Sequence, residues 1–178
     1  NYQFAPKSVQ VSSTSFHRSS AYSWCTPSNS NRIEGRLERL TGLAIQGTAS
    51  EELRVLSYSI GGHIHPHFDR ISGMEYRKTL HKFRFASLML YMNDVDQGGG
   101  TVFTSLGIHV KPVKGSAVLW FNFYADGIED FMTYHGGCPV MFGAKWAANK
   151  WISYGTQFLN LKCGLKPKDR IRFAVNKG

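Results

Sequence analysis

His67 and Asp69 stand two residues apart at the end of the run Y-S-I-G-G-H-I-H-P-H-F-D, which begins at Tyr58. In an extended strand, residues i and i+2 project from one face, so an imidazole nitrogen and a carboxylate oxygen would point at one spot. A second histidine brought in from elsewhere completes a two-histidine, one-carboxylate facial triad. That donor set suits non-haem Fe(II) chemistry because it leaves coordination positions open. His135, far downstream in T-Y-H-G-G-C-P, is the candidate for the third donor. A rival reading takes His63, His65 and His67, spaced H-x-H-x-H, as three same-face zinc ligands. It leaves Asp69 without a role and explains nothing further along the chain. Lys145 opens K-W-A-A-N-K-W, and an ammonium among buried aromatics needs an anionic partner. A dicarboxylate cosubstrate would supply one; the plainer alternative is a lysine that snorkels to solvent from a strand end.

These residues must be carried by elements that can converge. Ile33, Leu37 and Leu40 recur at i, i+4 and i+7 behind the N-cap residues Ser28, Asn29, Ser30 and Asn31. They predict an amphipathic helix over 31–41, with arginines and glutamates on its other faces and Gly42 as its stop. Ahead of it, Ser8 to Ser20 could hold an edge strand at best, and Ala21 to Trp24 form an aromatic island that packs on the core. From Leu53 the pattern turns to period two. Leu53, Val55 and Tyr58 read as a strand, and Phe83 to Met92 as a strand buried on both faces. Thr101 to Phe103, the end of a strand at Val110, Ser116 to Phe123, Pro139 to Phe142 and Lys145 to Tyr154 follow. Many short strands after one helix point to a mainly β fold with flanking helices, a sandwich or jelly roll.

A chain of 178 residues that is 42% hydrophobic fits a single domain with a substantial core. No apolar run reaches the ~20 residues of a membrane span. There is no initiator Met or signal-like start, as expected of a processed or excised piece. The net charge of +9 is spread from Arg32 through Arg77–Arg84 to a tail beginning at Lys162, which reads as a solvated basic surface and not as a nucleic-acid element. Three cysteines, Cys25, Cys138 and Cys163, allow one bridge.

Taken with the segments L-T-G-L, E-E-L-R-V, Y-S-I-G-G, H-F-D, R-F-A-S-L-M-L-Y-M-N-D-V, G-G-G-T-V-F, K-G-S-A-V-L-W-F-N and H-G-G-C-P-V-M-F-G-A-K-W-A-A-N-K-W, the chain resembles the catalytic domain of collagen prolyl 4-hydroxylase α subunits, within the Fe(II)- and 2-oxoglutarate-dependent dioxygenases. The resemblance is collinear over about two thirds of the chain. It implies a double-stranded β-helix core over 46–160, a polar segment and supporting helix over 1–45, and a tail over 161–178, all in one catalytic domain. It assigns His67, Asp69 and His135 to Fe(II) and Lys145 to the distal carboxylate of 2-oxoglutarate. Tyr58 and Thr133 match positions lining the cosubstrate pocket, and Arg84 and Trp120 match positions near the peptide groove.

The activity so implied is 4-hydroxylation of proline in collagen-like or other proline-rich polypeptides, coupled to conversion of 2-oxoglutarate to succinate and carbon dioxide. Ascorbate would rescue iron left oxidised. A disulfide between Cys138 and Cys163, worth ~3 kcal/mol by loop entropy, and an address in the endoplasmic reticulum lumen belong to the same implication. So does protein disulfide isomerase as β subunit. The chain departs from the family at Ile64, where relatives carry a tyrosine that reaches the substrate proline. It also departs at His63 and His65 beside the ligands, and at Ser87 and Leu88, where Thr and Trp are common. Ile64 therefore opens a second reading, an oxygenase of the same fold with another peptide substrate. A non-catalytic jelly-roll binding subunit is the third.

Overall fold

The computed structural model describes residues 10–11, 19–25, 27–70, 83–157, 161 and 164–171. In chain order its elements are β1 (Gln10–Val11), β2 (Ala21–Trp24), α1 (Pro27–Thr41), β3 (Arg54–Tyr58), β4 (Ile64–His67), β5 (Arg84–Tyr91), β6 (Gln97–Gly98), β7 (Thr101–Phe103), β8 (Ile108–Val110), β9 (Ala117–Phe121), β10 (His135–Gly137), β11 (Val140–Phe142) and β12 (Lys145–Ser153). A larger antiparallel sheet runs β1-β2-β3-β12-β5-β9 and a smaller one β4-β10-β7-β8, with β11 and β6 forming a short ribbon. Strands next to one another in sequence, such as β3 and β4, fall in opposite sheets, while β3 pairs with the distant β12 and β4 with the distant β10. That is the jelly roll expected from the sequence.

β12 is the spine. Its residues alternate between two environments because successive side chains point to opposite faces. Ala147 joins Met89, Tyr91, Phe103 and Trp120 in a cluster between the sheets. Ala148 and Ile152 face the other way, packing with Leu53 and Cys25 in one cluster and with Leu37, Leu43, Ile45 and Leu88 in another. The run from Phe85 to Met89 is buried without a break, as expected of a strand covered on both faces.

The helix differs from expectation in two respects. It begins at Pro27 rather than 31, since proline suits a first helical position, where its missing N–H costs nothing. Its buried stripe is also offset by one residue. Ser30, Glu34, Leu37 and Thr41 are inside, whereas Leu40 is 38% exposed. Glu34, predicted to be solvated, receives the Lys150 ammonium of β12 at 2.6 Å and the Ser30 hydroxyl at 2.7 Å. A buried carboxylate persists only when so paired. Gly42 ends the helix as expected, at φ 70°, donating its N–H to Glu38 O. The aromatic island proves to be strand β2, paired with β3. Of the serine-rich start Gln10, Val11, Ser19 and Ser20 are described, the first two paired with Tyr22 and Ala21. No helix among the described residues is long and apolar enough to cross a membrane.

Candidate metal and cosubstrate centre

Strand pairing brings the distant histidine to the early one. In the antiparallel register of β10 with β4, His135 stands opposite His67, and Gly137 opposite Ile64. The two glycines after His135 make that approach feasible: a Cβ on Gly136 would lie 3.0 Å from Pro66 N, and one on Gly137 3.0 Å from Ile64 Cγ2. The imidazole centroids of His67 and His135 are 4.5 Å apart. Asp69 lies beyond the end of β4 and is buried, with Oδ1 3.4 Å from His67 Nε2 and Oδ2 3.8 Å from His135 Nε2. One donor atom from each of the three lies within 4.8 Å of the others. Among the described residues this is the one such group, and His63 and His65, whose rings face each other at 5.4 Å, stay outside it.

The hydrogen bonds around the cluster orient it for a cation. His67 Nδ1 donates to His65 O and His135 Nδ1 donates to Thr133 O, both at 2.8 Å. Each ring is thereby fixed in the tautomer that leaves the Nε2 lone pair toward the centre. Burial pushes the His135 imidazolium below the usual histidine range against the opposing pull of Asp69, which favours the neutral ring that can ligate. Burial alone would raise the Asp69 carboxyl, but the His67 hydrogen bond, the His135 and His67 charges and the Ser87 hydroxyl outweigh it. They hold the group well below the usual carboxylate range. Ser87 Oγ and Trp151 Nε1 donate to Asp69 Oδ2 at 2.6 and 2.9 Å, from β5 and β12. Asn122 Nδ2 supports Ser87 at 3.0 Å. Two imidazoles that present Nε2 to the centre and one ionised carboxylate, each steadied from behind, fit an octahedral Fe(II) with open positions.

Lys145 lines the same cavity, of about 180 Å³. It is 3% exposed, so it does not snorkel. Its Nζ donates to Gly99 O at 2.6 Å, and the Tyr58 and Tyr91 ring centroids lie 5.3 and 5.5 Å away. No carboxylate among the described residues pairs with it. Burial pulls its ammonium down to about 8. An ammonium that retains most of its charge, buried with one carbonyl acceptor, is a site for an incoming anion.

The other expected residues divide. Tyr58, opposite Lys145 in the β3–β12 register, lines the cavity, as do Ile64, Arg84 and Trp120. Trp120 packs edge-on against His135 at 4.7 Å. Arg84 meets Glu51 with both Nε and Nη2, the latter at 2.8 Å, and lies 3.8 Å over the Trp151 ring. It thus buttresses the indole that holds Asp69. Thr133 is placed elsewhere: its hydroxyl donates to Asp130 O and its carbonyl steadies His135, and it lines a separate apolar cavity of about 320 Å³ beyond Trp120. Sequence reasoning missed Trp151 and also Thr101, whose hydroxyl accepts from Tyr91 at 2.8 Å within the Lys145 cavity. The alternation in K-W-A-A-N-K-W, which puts Trp151 on the Lys145 face, was the available signal. The pairing of Cys138 with Cys163 lies outside the described residues, because Cys163 is not among them.

A family model of the 2OG-Fe(II) oxygenase superfamily matches residues 53–153. The chain is 41% identical over 138 residues to prolyl 4-hydroxylase subunit alpha-1 of Homo sapiens, covering 76% of this chain and 26% of that protein. It is 40% identical over 146 residues to prolyl 4-hydroxylase subunit alpha-2 of Caenorhabditis elegans, covering 80% and 27%. The chain therefore spans about a quarter of the length of these curated relatives. Among solved structures it resembles the viral collagen prolyl hydroxylase of Paramecium Bursaria Chlorella virus-1 in its 2OG complex. The TM-score is 0.59 at 24% identity, covering 76% of this chain and 79% of that one. A Pseudomonas putida prolyl-4-hydroxylase gives a TM-score of 0.58 at 22% identity, covering 82% and 76%. Those two likenesses establish the jelly-roll fold. The chain belongs to the 2OG-Fe(II) oxygenase superfamily.

Proposed function

We propose that the chain is the catalytic domain of a peptidyl-proline 4-hydroxylase that uses Fe(II), 2-oxoglutarate and dioxygen. The observation that carries this reading is the joint presence, in one cavity, of the His67, Asp69 and His135 cluster and of the buried Lys145, which has no carboxylate partner among the described residues. His67, Asp69 and His135 would hold the iron. Bound there with 2-oxoglutarate, the metal supplies dioxygen activation coupled to decarboxylation, giving succinate, carbon dioxide and one hydroxyl on proline C4. Lys145 binds the distal carboxylate of the cosubstrate. Tyr58 and Thr101 fill the wall around it with hydroxyls, and Trp151 and Ser87 keep the Asp69 carboxylate ionised and oriented. Ile64, Trp120 and the Arg84 edge shape the side from which the peptide enters. Ascorbate as reductant, the Cys138–Cys163 disulfide, a lumenal address and protein disulfide isomerase as partner belong to the same proposal, supported by the likeness to α subunits.

The test is a screen of proline-rich peptides with Fe(II) and 2-oxoglutarate, reading succinate and the mass of the peptide. A gain of one oxygen on proline, lost in His67→Ala, is the expected result. Stoichiometric succinate with the oxygen on another residue would instead favour the second reading, an oxygenase of different peptide specificity. The specific observation behind that reading is Ile64, which offers the cavity no hydroxyl. Absence of succinate under every condition would end both.

A further inference from the structure

The cavity of about 320 Å³ beyond Trp120 is of the size of small-molecule sites, and none of His67, Asp69 and His135 lines it. We infer that it is an effector site for a small monocarboxylate with an apolar body, whose occupancy is felt at the metal ligand His135. The ligand assignment is independent of the proposed hydroxylation; only its effect on the metal rests on that reading.

The walls select the ligand. Phe103, Val118, Trp120, Phe121 and Phe123 are apolar and aromatic, and Leu106 and Ile108, 39% and 48% exposed, mark where the cavity meets solvent. Its polar groups gather around Asp130. That carboxylate is buried and both its oxygens are engaged: Oδ1 accepts the Met132 N–H at 3.0 Å and Oδ2 accepts Arg170 Nη1 at 3.4 Å. Donors are in surplus. Arg170 offers the several N–H groups of a guanidinium, and its side chain is 65% exposed beside the cavity. Trp120 Nε1 is buried with no hydrogen-bond partner among the described residues. Surplus donors, one of them a guanidinium, favour an acceptor that carries negative charge. At ~30 Å³ for each water-sized group, the space suits roughly ten heavy atoms. Octanoate has that size and that chemistry.

Two walls of the cavity touch the metal ligand directly. The Trp120 ring meets His135 edge-on at 4.7 Å, and Phe103, opposite His135 in the β7–β10 register, lies 5.6 Å from it. The polar group reaches the same imidazole through the backbone. Asp130 O accepts the Thr133 N–H at 3.1 Å and the Thr133 hydroxyl at 2.8 Å, and Thr133 O in turn holds His135 Nδ1 at 2.8 Å. A carboxylate that draws Arg170 away leaves the buried Asp130 charge less well matched and loosens this turn. Occupancy should therefore weaken metal binding, and by linkage the metal should weaken the effector by the same factor.

The experiment is calorimetric titration of octanoate, as probe, into the whole chain with and without Mn(II), a stand-in for iron. Octanoate should bind in both cases, about fivefold more weakly with Mn(II). Tighter binding with Mn(II) would mean ligation of the metal itself and would overturn the inference. Arg170→Gln should weaken octanoate about tenfold, and Arg170→Lys should keep most of the affinity. Ile108→Asp, at the exposed mouth, should weaken it as well without unfolding the chain. Lys145→Met should bind octanoate as the wild type does; a loss there would place the probe in the other cavity and sink the assignment. Octan-1-ol or octylammonium binding as tightly as octanoate would do the same. Octanoate held through Arg170 in a chain that binds no Mn(II) would keep the site and remove the metal reading.

Discussion

Strand β12 carries two buried lysines on opposite faces of the same sheet, and they have opposite fates. Lys150 points toward α1 and meets Glu34 at 2.6 Å, with Ser30 completing the carboxylate. Lys145 points between the sheets, meets one carbonyl, and has no carboxylate among the described residues. The exposures are alike, 2% and 3%, so burial does not separate them. What separates them is whether the protein supplies the counter-charge. A buried cation matched within the fold is a fastening between helix and sheet. A buried cation left facing a cavity is a binding site.

Breaking each lysine in turn should separate stability from ligand affinity, and the largest effect belongs to the fastening. Lys150→Met leaves the Glu34 carboxylate buried without its counter-charge, which should cost about 3–5 kcal/mol in chemical denaturation. Replacing both partners, Glu34→Met with Lys150→Met, should recover most of that loss, since a well-packed apolar pair is often neutral relative to a buried ion pair. Lys145→Met should do the reverse. It should weaken 2-oxoglutarate by about 2–5 kcal/mol, roughly 30-fold or more in Kd, while leaving the denaturation midpoint unchanged or raised.

The next effect in size falls on the strut between the two faces. Trp151→Phe keeps the ring but removes the donor to Asp69, and should lower Fe(II) affinity about 10- to 100-fold, as read by metal titration. The smallest is the pH effect. With the Lys145 ammonium at about 8 in the folded state, 2-oxoglutarate affinity should fall about tenfold per unit above that pH. Stability should move the other way. The unfolded lysine stays protonated while the folded one does not, so the penalty of burying the charge is fully present below pH 8 and is relieved as pH rises from there toward the unfolded value. Opposite slopes for affinity and stability would be the signature of an unpaired buried lysine.

The same pair of lysines marks where the sequence was readable. Period-two patterning located most strands of the two sheets, and H-x-D with a distant histidine located the cluster, because both are local rules of geometry. The burial of Glu34 was not readable: a glutamate on a helix in a basic chain looks solvated until its partner, on the last strand, is known. Trp151 was hidden for the same reason, since its bond to Asp69 spans most of the jelly roll. Thr133 misled because motif position says nothing about rotamer, and its hydroxyl is taken by a turn carbonyl. The early start of α1 followed from Pro27, which was outweighed by a run of four good cap residues.

The most direct test of the account is calorimetric titration of 2-oxoglutarate into Mn(II)-loaded protein, with Mn(II) standing in for iron without turnover. Wild type and the Glu34→Met, Lys150→Met double variant should bind alike, whereas Lys145→Met should bind at least ~30-fold more weakly. Equal affinity in Lys145→Met would contradict the claim that the unmatched lysine makes this cavity a dicarboxylate site.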